Sequence, residues 1–241
     1  MDGQAILGAA LEEAMKAGAD EAQATFRRGS KSEQNVDAGR MSLFRTTEDI
    51  KLSITAYAGS RKGSVSSNRS DPDSVRAAAR EAFELAAASE PDPANAISPA
   101  AMGDFAYGDE EPDRGAMYDR VREFLARSRE KYPKTNLEQC VLDFTVAREH
   151  FANTNGARFS SQTGAYSFFA LFTTKDGAKA SSFNYSGAAR RALGESLETW
   201  GSIDELMRQS AEQLDPAAVQ GKFVGDLIIT PDCMGDFIEA L

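Results

Sequence analysis

Glu33-Gln34-Asn35-Val36-Asp37-Ala38-Gly39-Arg40 decides the fold, because the chain repeats it at His150-Phe151-Ala152-Asn153-Thr154-Asn155-Gly156-Ala157-Arg158. Each stretch is an alternating strand that runs into a tight turn ending in glycine, and Gly39 and Gly156 stand 117 positions apart. The spans behind them correspond as well. Ile50-Lys51-Leu52-Ser53-Ile54-Thr55-Ala56-Tyr57-Ala58-Gly59 parallels Tyr166-Ser167-Phe168-Phe169-Ala170-Leu171-Phe172-Thr173-Thr174-Lys175-Asp176-Gly177. A Ser-rich strand follows each, Gly63-Ser64-Val65-Ser66-Ser67-Asn68 and Ala178-Lys179-Ala180-Ser181-Ser182-Phe183-Asn184, and each then enters a helix. The repetition predicts an α+β fold with two repeated units of antiparallel sheet and flanking helices. No titratable cluster recurs with it, so the repeat predicts architecture without chemistry.

At 241 residues the chain can bury a sizeable core, as one large domain or two modest ones. A hydrophobic content of 41% and a charged content of 27% are ordinary for a globular protein. The formal net charge of -10 argues against direct contact with nucleic acid, which needs a basic patch. No long run of like charge occurs, and the acidity reads as solvated surface. Met1-Asp2-Gly3-Gln4-Ala5 lacks the basic start and apolar run of a secretory peptide, and no stretch is apolar enough to span a membrane. Cys140 and Cys233 lie far apart. Two unpaired thiols without secretory context predict a reducing, cytoplasmic location.

Along the chain, Ile6, Leu7, Ala10, Leu11 and Ala14 form one helical stripe that Gly18 ends. Strands are expected from Glu21 to Asn68. Asp71 then caps a helix with Pro72 in its first position, and that helix stops before Pro91. Residues 89–112 hold most of the prolines with several Gly and Asp, and read as a linker. A helix over 113–131 precedes the second β unit. Ser202 opens another helix as a capping box, with Glu205 three residues on reaching back. The stretch 221–231 reads as a short buried strand, and 232–241 as a helix with Met234, Phe237, Ile238 and Leu241 on its inner face. These boundaries predict a first α+β domain over 1–95, a linker and helix over 96–135, a second α+β domain over 136–220, and the beginning of a C-terminal domain over 221–241.

The search for chemistry yields exclusions. His150 is the single histidine, which rules out a multi-histidine zinc site within these residues. It reads as a strand-face histidine, or else as a contact with a partner chain. A nucleophilic triad needs a base beside Ser or Cys, and no GxSxG elbow supports one. Gly59-Ser60-Arg61-Lys62-Gly63-Ser64 lacks the spacing of a phosphate loop and reads as a basic turn. The carboxylate pairs Glu12-Glu13 and Glu110-Glu111 sit at positions expected to face solvent. Tyr166, Phe168, Phe169 and Phe172 read as a strand covered on both faces, with a surface for a partner or an extended peptide as the alternative.

Three stretches together resemble the first domain of the TldD/PmbA family: Ala17-Gly18-Ala19-Asp20-Glu21-Ala22, Val36-Asp37-Ala38-Gly39, and the run from Tyr57 to Asn68. Asn153-Thr154-Asn155-Gly156 and the Arg190-Arg191 region fit the second-domain pattern. Gly225-Asp226-Leu227-Ile228-Ile229-Thr230-Pro231 is similar to the strand that opens the third domain. The resemblance implies a two-subunit metallopeptidase system that acts on unfolded or extended peptides. It also attaches a link to modulation of DNA gyrase.

In TldD-type subunits of that family, an HExxxH helix in the third domain holds zinc. The metal polarises the peptide carbonyl and activates water, with the motif Glu as general base. By position that helix is Gly235-Asp236-Phe237-Ile238-Glu239-Ala240-Leu241 here. Glu239 matches the Glu, while Ile238 stands where the first His belongs. The resemblance therefore implies the N-terminal part of a PmbA (TldE)-type subunit, with neither metal nor catalytic residues in this chain. Zinc is expected in a TldD-type partner, in a homo- or heterodimer with peptide as substrate. The other reading is a non-enzymatic binding regulator such as a DNA gyrase modulator.

Overall fold

The computed structural model describes residues 2–218, 221, 222 and 224–241. The chain forms two compact units, and neither is a continuous stretch. Unit 1 comprises Met1–Lys31, Thr46–Glu111 and Thr145–Gly164, and unit 2 comprises Ser32–Arg45, Pro112–Phe144 and Ala165–Leu241. The strands are longer than the repeat suggests, which is how the units come to share them. β1 (Glu21–Asp37), β2 (Arg40–Ala58), β5 (Thr135–Asn153) and β6 (Arg158–Asp176) have 17 or 19 residues each. Each gives one part of its length to each unit.

In unit 1 the sheet follows the order β3-β2-β1-β5-β6-β4, with β3 at Arg61–Ser67 and β4 at Met102–Tyr107. β3 is antiparallel to β2, and β4 is parallel to β6. α1 (Gly3–Ala17) and α2 (Pro72–Ala88) cover one face. The stripe Ile6, Leu7, Ala10 and Ala14 is buried with Ala22, Ala24, Phe26, Leu52, Ile54 and Ala56. Gly18 takes the left-handed conformation (φ 115°) and donates its N–H to the last turn of α1, as a glycine C-cap does. α2 meets the core through Val75, Ala78, Ala79, Ala82 and Ala86, small side chains that bring its backbone close to β3. The Asp71 carboxylate accepts from the Ser74 N–H at 3.0 Å and caps α2. Glu13 is buried rather than solvent-facing: Arg80 on α2 holds it at 2.5 Å.

Unit 2 places α3 (Arg114–Lys131), a 3-10 turn (Leu197–Thr199) and α4 (Ile203–Glu212) against its strands. β7 (Lys179–Ala180) and β8 (Asn184–Arg190) both pair antiparallel with β6. Phe124 meets Phe168 edge-on at 5.0 Å, and Phe144 meets Tyr166 at 4.7 Å. A buried hydroxyl row joins Thr135, Thr174 and Ser210 at 2.8 and 2.6 Å, so each polar atom keeps a partner away from water. Trp200 is wholly buried beside Leu197, Ile203 and Met207. The turn Asp37-Ala38-Gly39-Arg40 has positive φ at both central residues (47° and 69°), as a hairpin with right-handed twist requires.

Four expectations fail. The linker over 89–112 contains β4, because β6 has an open edge there and supplies a pairing partner. Ser202 makes no cap hydrogen bond: its N–H is taken by Ser186 Oγ at 2.9 Å, and Glu205 turns outward to Arg208 and Gln209. The expected strand over 221–231 is absent among the described residues, where Val224, Leu227 and Ile228 are exposed, and Phe223 lies outside those residues. A strand needs a neighbour for its backbone groups, and none pairs with this stretch. The helix after it forms as α5 (Pro231–Glu239), yet Met234, Phe237 and Ile238 are exposed rather than turned to a core.

Cys140 is buried, which pushes its thiol up to about 12, with the Asp37 carboxylate adding to the effect. Cys233 is exposed on α5. Iodoacetamide at pH 8 should therefore add once to the native protein, at Cys233, and twice after unfolding, as read by intact mass.

Candidate functional site

Three features offer polar groups or apolar surface to a ligand. The largest is a cleft of about 710 Å³ in unit 2, where the end of α3 faces the start of α4. Lys131 Nζ lies 2.7 and 2.8 Å from the two Asp204 oxygens, and Tyr132 Oη donates to Asp204 Oδ1 at 2.8 Å. Arg127 reaches Glu198 at 2.6 Å. Burial is the largest influence on Asp204 and pulls its carboxyl upward, but the hydrogen bonds from Lys131 and Tyr132 together hold it below the usual range. Lys131 is raised by its hydrogen bond to Asp204. Burial raises Tyr132.

Those cations are committed to internal carboxylates. The cleft can seat a polar group. Because the folded Asp204 is depressed, its stabilisation is present above the unfolded pKa of about 3.9 and fades as pH falls through the lower folded value. Asp204→Asn should accordingly flatten the loss of Tm between pH 5 and pH 3; a slope equal to wild type would deny the carboxylate this role.

The second feature is a depression of about 290 Å³ in unit 1, lined by Asp104, Arg148, His150, Ser160 and Gln162 among others. It gathers the lone histidine with a serine and an aspartate, in the wrong order for a triad. The Ser160 hydroxyl donates to Asp104, so His150 is not positioned as its base. His150 packs its imidazole edge against Gly3 on α1, where an added Cβ would come within 2.4 Å of Cδ2. Its Nδ1 is buried with no hydrogen-bond partner among the described residues.

The third is the solvent side of β6 and β8. Tyr166, Phe168 and Phe172 face the core, while Phe169 turns outward to meet Tyr185 at 6.0 Å. Ser167, Ser186, Gly187 and Ala188 complete a shallow groove of about 410 Å³. The strand is thus covered on one face only, which corrects the two-sided expectation. Sequence reading did not single out the Lys131–Tyr132–Asp204 cluster, whose members are 72 and 73 positions apart. It also missed the exposed aromatics of β4, although the alternation Phe105-Ala106-Tyr107 between Gly103 and Gly108 is a strand signal.

Ile238 and Glu239 stand on exposed α5, Glu239 as its last residue. Ile238 carries no donor atom for a metal ion, whereas Glu239 offers a carboxylate. Among the described residues, no three His, Cys, Asp or Glu side chains are grouped to hold a metal, and no helix is long and apolar enough to cross a membrane.

The tandem hairpins with their flanking helices define a duplicated α+β scaffold whose features are surfaces and a paired-charge cleft. Residues 25–86 match the family model described as PmbA/TldA metallopeptidase domain 1. Its fold is similar to that of TldE from Thermococcus kodakarensis, at 16% identity and a TM-score of 0.67, over 87% of this chain and 47% of that one. A candidate modulator of DNA gyrase from Bacteroides thetaiotaomicron VPI-5482 superposes with a TM-score of 0.66 at 15% identity, over 90% of this chain and 51% of that one. Another from Thermotoga maritima MSB8 gives 0.61 at 14% identity, over 88% and 47%. The chain spans about half the length of these solved structures. Among curated proteins, none matches the sequence at a significant level.

Proposed function

We propose that this chain is the N-terminal part of a PmbA (TldE)-type subunit that pairs, in the cytoplasm, with a TldD-type metallopeptidase subunit and helps enclose extended peptides for cleavage. The fold likeness to TldE over 87% of the chain carries the reading. Ile238, at the position of the family's first zinc-binding His, supports it, since a subunit without that ligand leaves the metal chemistry to its partner. The free thiols of Cys140 and Cys233 are consistent with a reducing compartment.

The test uses the full-length protein, with and without a TldD-type subunit. Alone it should carry no stoichiometric zinc by mass spectrometry of metals and should leave an unstructured peptide intact; mixed with the partner it should raise peptide hydrolysis. Stoichiometric zinc in the protein alone, or no change on mixing, rejects the proposal. The names of the two bacterial neighbours favour a second reading as a DNA gyrase modulator, acting through the net charge of -10 on a basic partner. Salt-sensitive capture of gyrase without any TldD-type protein would support it.

A further inference from the structure

β4 is the terminal strand of the unit 1 sheet, and its pairing among the described residues is with β6 alone. Terminal strands present backbone N–H and C=O groups to solvent, and proteins ordinarily guard them with lysines, prolines or a covering element. Among the described residues β4 has no such guard. Its sequence, Met102-Gly103-Asp104-Phe105-Ala106-Tyr107, contains neither proline nor a basic residue, and its one charge, Asp104, is engaged by Ser160.

Both faces of the strand are open. Met102 is 81% exposed, and Phe105 and Tyr107 are each 47% exposed. Phe105 stacks on Phe159 at 6.4 Å, and Phe159 meets Phe151 at 6.1 Å, so the aromatic row continues inward from the edge. Immediately after the strand, Gly108 turns the chain (φ 74°) into Asp109-Glu110-Glu111, all exposed. Arg148 approaches Glu110 at 3.3 Å from an exposed position, which leaves the cluster strongly acidic.

The geometry points to β4 as a docking strand for an extended, basic segment of a partner polypeptide, which adds to the sheet beside it. The edge that β4 turns away from β6 specifies an extended occupant, because only another strand satisfies such backbone groups in series. The Phe105 and Tyr107 rings offer a shelf to its apolar side chains. Asp109, Glu110 and Glu111 select lysine or arginine at the end that meets them. The same acidity disfavours a second copy of this chain.

The probe is a fluorescein-labelled ten-residue peptide that alternates valine or threonine with lysine, titrated into the full chain and followed by fluorescence anisotropy. Saturable binding is expected, with at least a tenfold loss when alternate backbone amides of the peptide are N-methylated in the register that faces β4. A loss of similar size is expected when its lysines become glutamates. Ala106→Lys, an exposed guard lysine, should cost about tenfold, and Tyr107→Ala several-fold, with thermal melts of both variants close to wild type. Equal affinity for the parent peptide and peptides methylated in either register would overturn the strand-addition geometry. Unchanged binding by Ala106→Lys would overturn the location. A dimer in sedimentation that Ala106→Lys dissociates would assign the edge to a second copy, against the occupant named here.

Discussion

Gly63→Ala is expected to unfold unit 1 or come close to it. A Cβ at this position in β3 would stand 2.2 Å from Ala82 O and 2.2 Å from Ala86 N, both backbone atoms of α2. No rotamer relieves a clash with a helix backbone, so α2 would have to lift off the sheet. That movement opens the contacts of Val75, Ala79 and Ala82, and overpacking typically costs about 1–3 kcal/mol, more where the neighbour is an unyielding backbone. Domains are commonly stable by only about 5–15 kcal/mol. Gly39 supplies the comparison. Its φ of +69° penalises a side chain, but the space around it is open. Gly39→Ala should therefore cost only about 1–2 kcal/mol, the strain of a left-handed residue. Urea titrations followed by far-UV circular dichroism would rank the two; a smaller loss for Gly63→Ala than for Gly39→Ala would show that α2 is not held as close as described.

The second large effect falls on unit 2. Trp200→Ala should cost about 3–5 kcal/mol, the usual range for emptying an aromatic site in a core. Trp200 is fully buried, and Leu197, Ile203 and Met207 are buried with it. Trp200→Phe should cost much less, for two reasons. It keeps most of the ring volume, and it removes the indole N–H, which is buried without an acceptor. The Arg190 guanidinium, 5.8 Å from the Trp200 ring centre, can rest on either aromatic. As the chain has a single tryptophan, its emission also reports on wild-type unfolding: blue-shifted when folded and moving red with urea. Equal losses for the alanine and phenylalanine variants would mean that the indole N–H has a partner in solution.

Much of this architecture was legible because its signals are local. Gly18, Asp71-Pro72, Ala38-Gly39 and Asn155-Gly156 fix helix ends and hairpin turns through the conformations they permit, and the repeat of those signals set the α+β class. What escaped depends on distant neighbours. β4 sits in a stretch rich in Pro, Gly and Asp, and becomes a strand only because β6 pairs beside it. The Ser202 capping box satisfies the local pattern, but Ser186 on β8 captures the N–H first. Residues 224–230 have strand-forming side chains and, among the described residues, no strand paired with them. For the candidate sites, the Lys131–Tyr132–Asp204 cleft could not be read from sequence, since no spacing rule links α3 to α4. The consecutive boundaries read along the chain likewise reflect local punctuation, while packing groups the strand segments differently.

That grouping sets a schedule for synthesis. Unit 1 needs Thr145–Gly164 to be complete, and unit 2 needs Ser32–Arg45, made long before the rest of it. As the chain leaves the ribosome, α1, α2 and the first hairpin emerge early but must wait until Gly164 has been made before their sheet closes. Such delayed, long-range pairing is slow and leaves edges bare in the meantime. A nascent chain stopped near residue 95 would therefore display the whole first repeat and still lack part of its core, an intermediate that a holding chaperone is suited to shield.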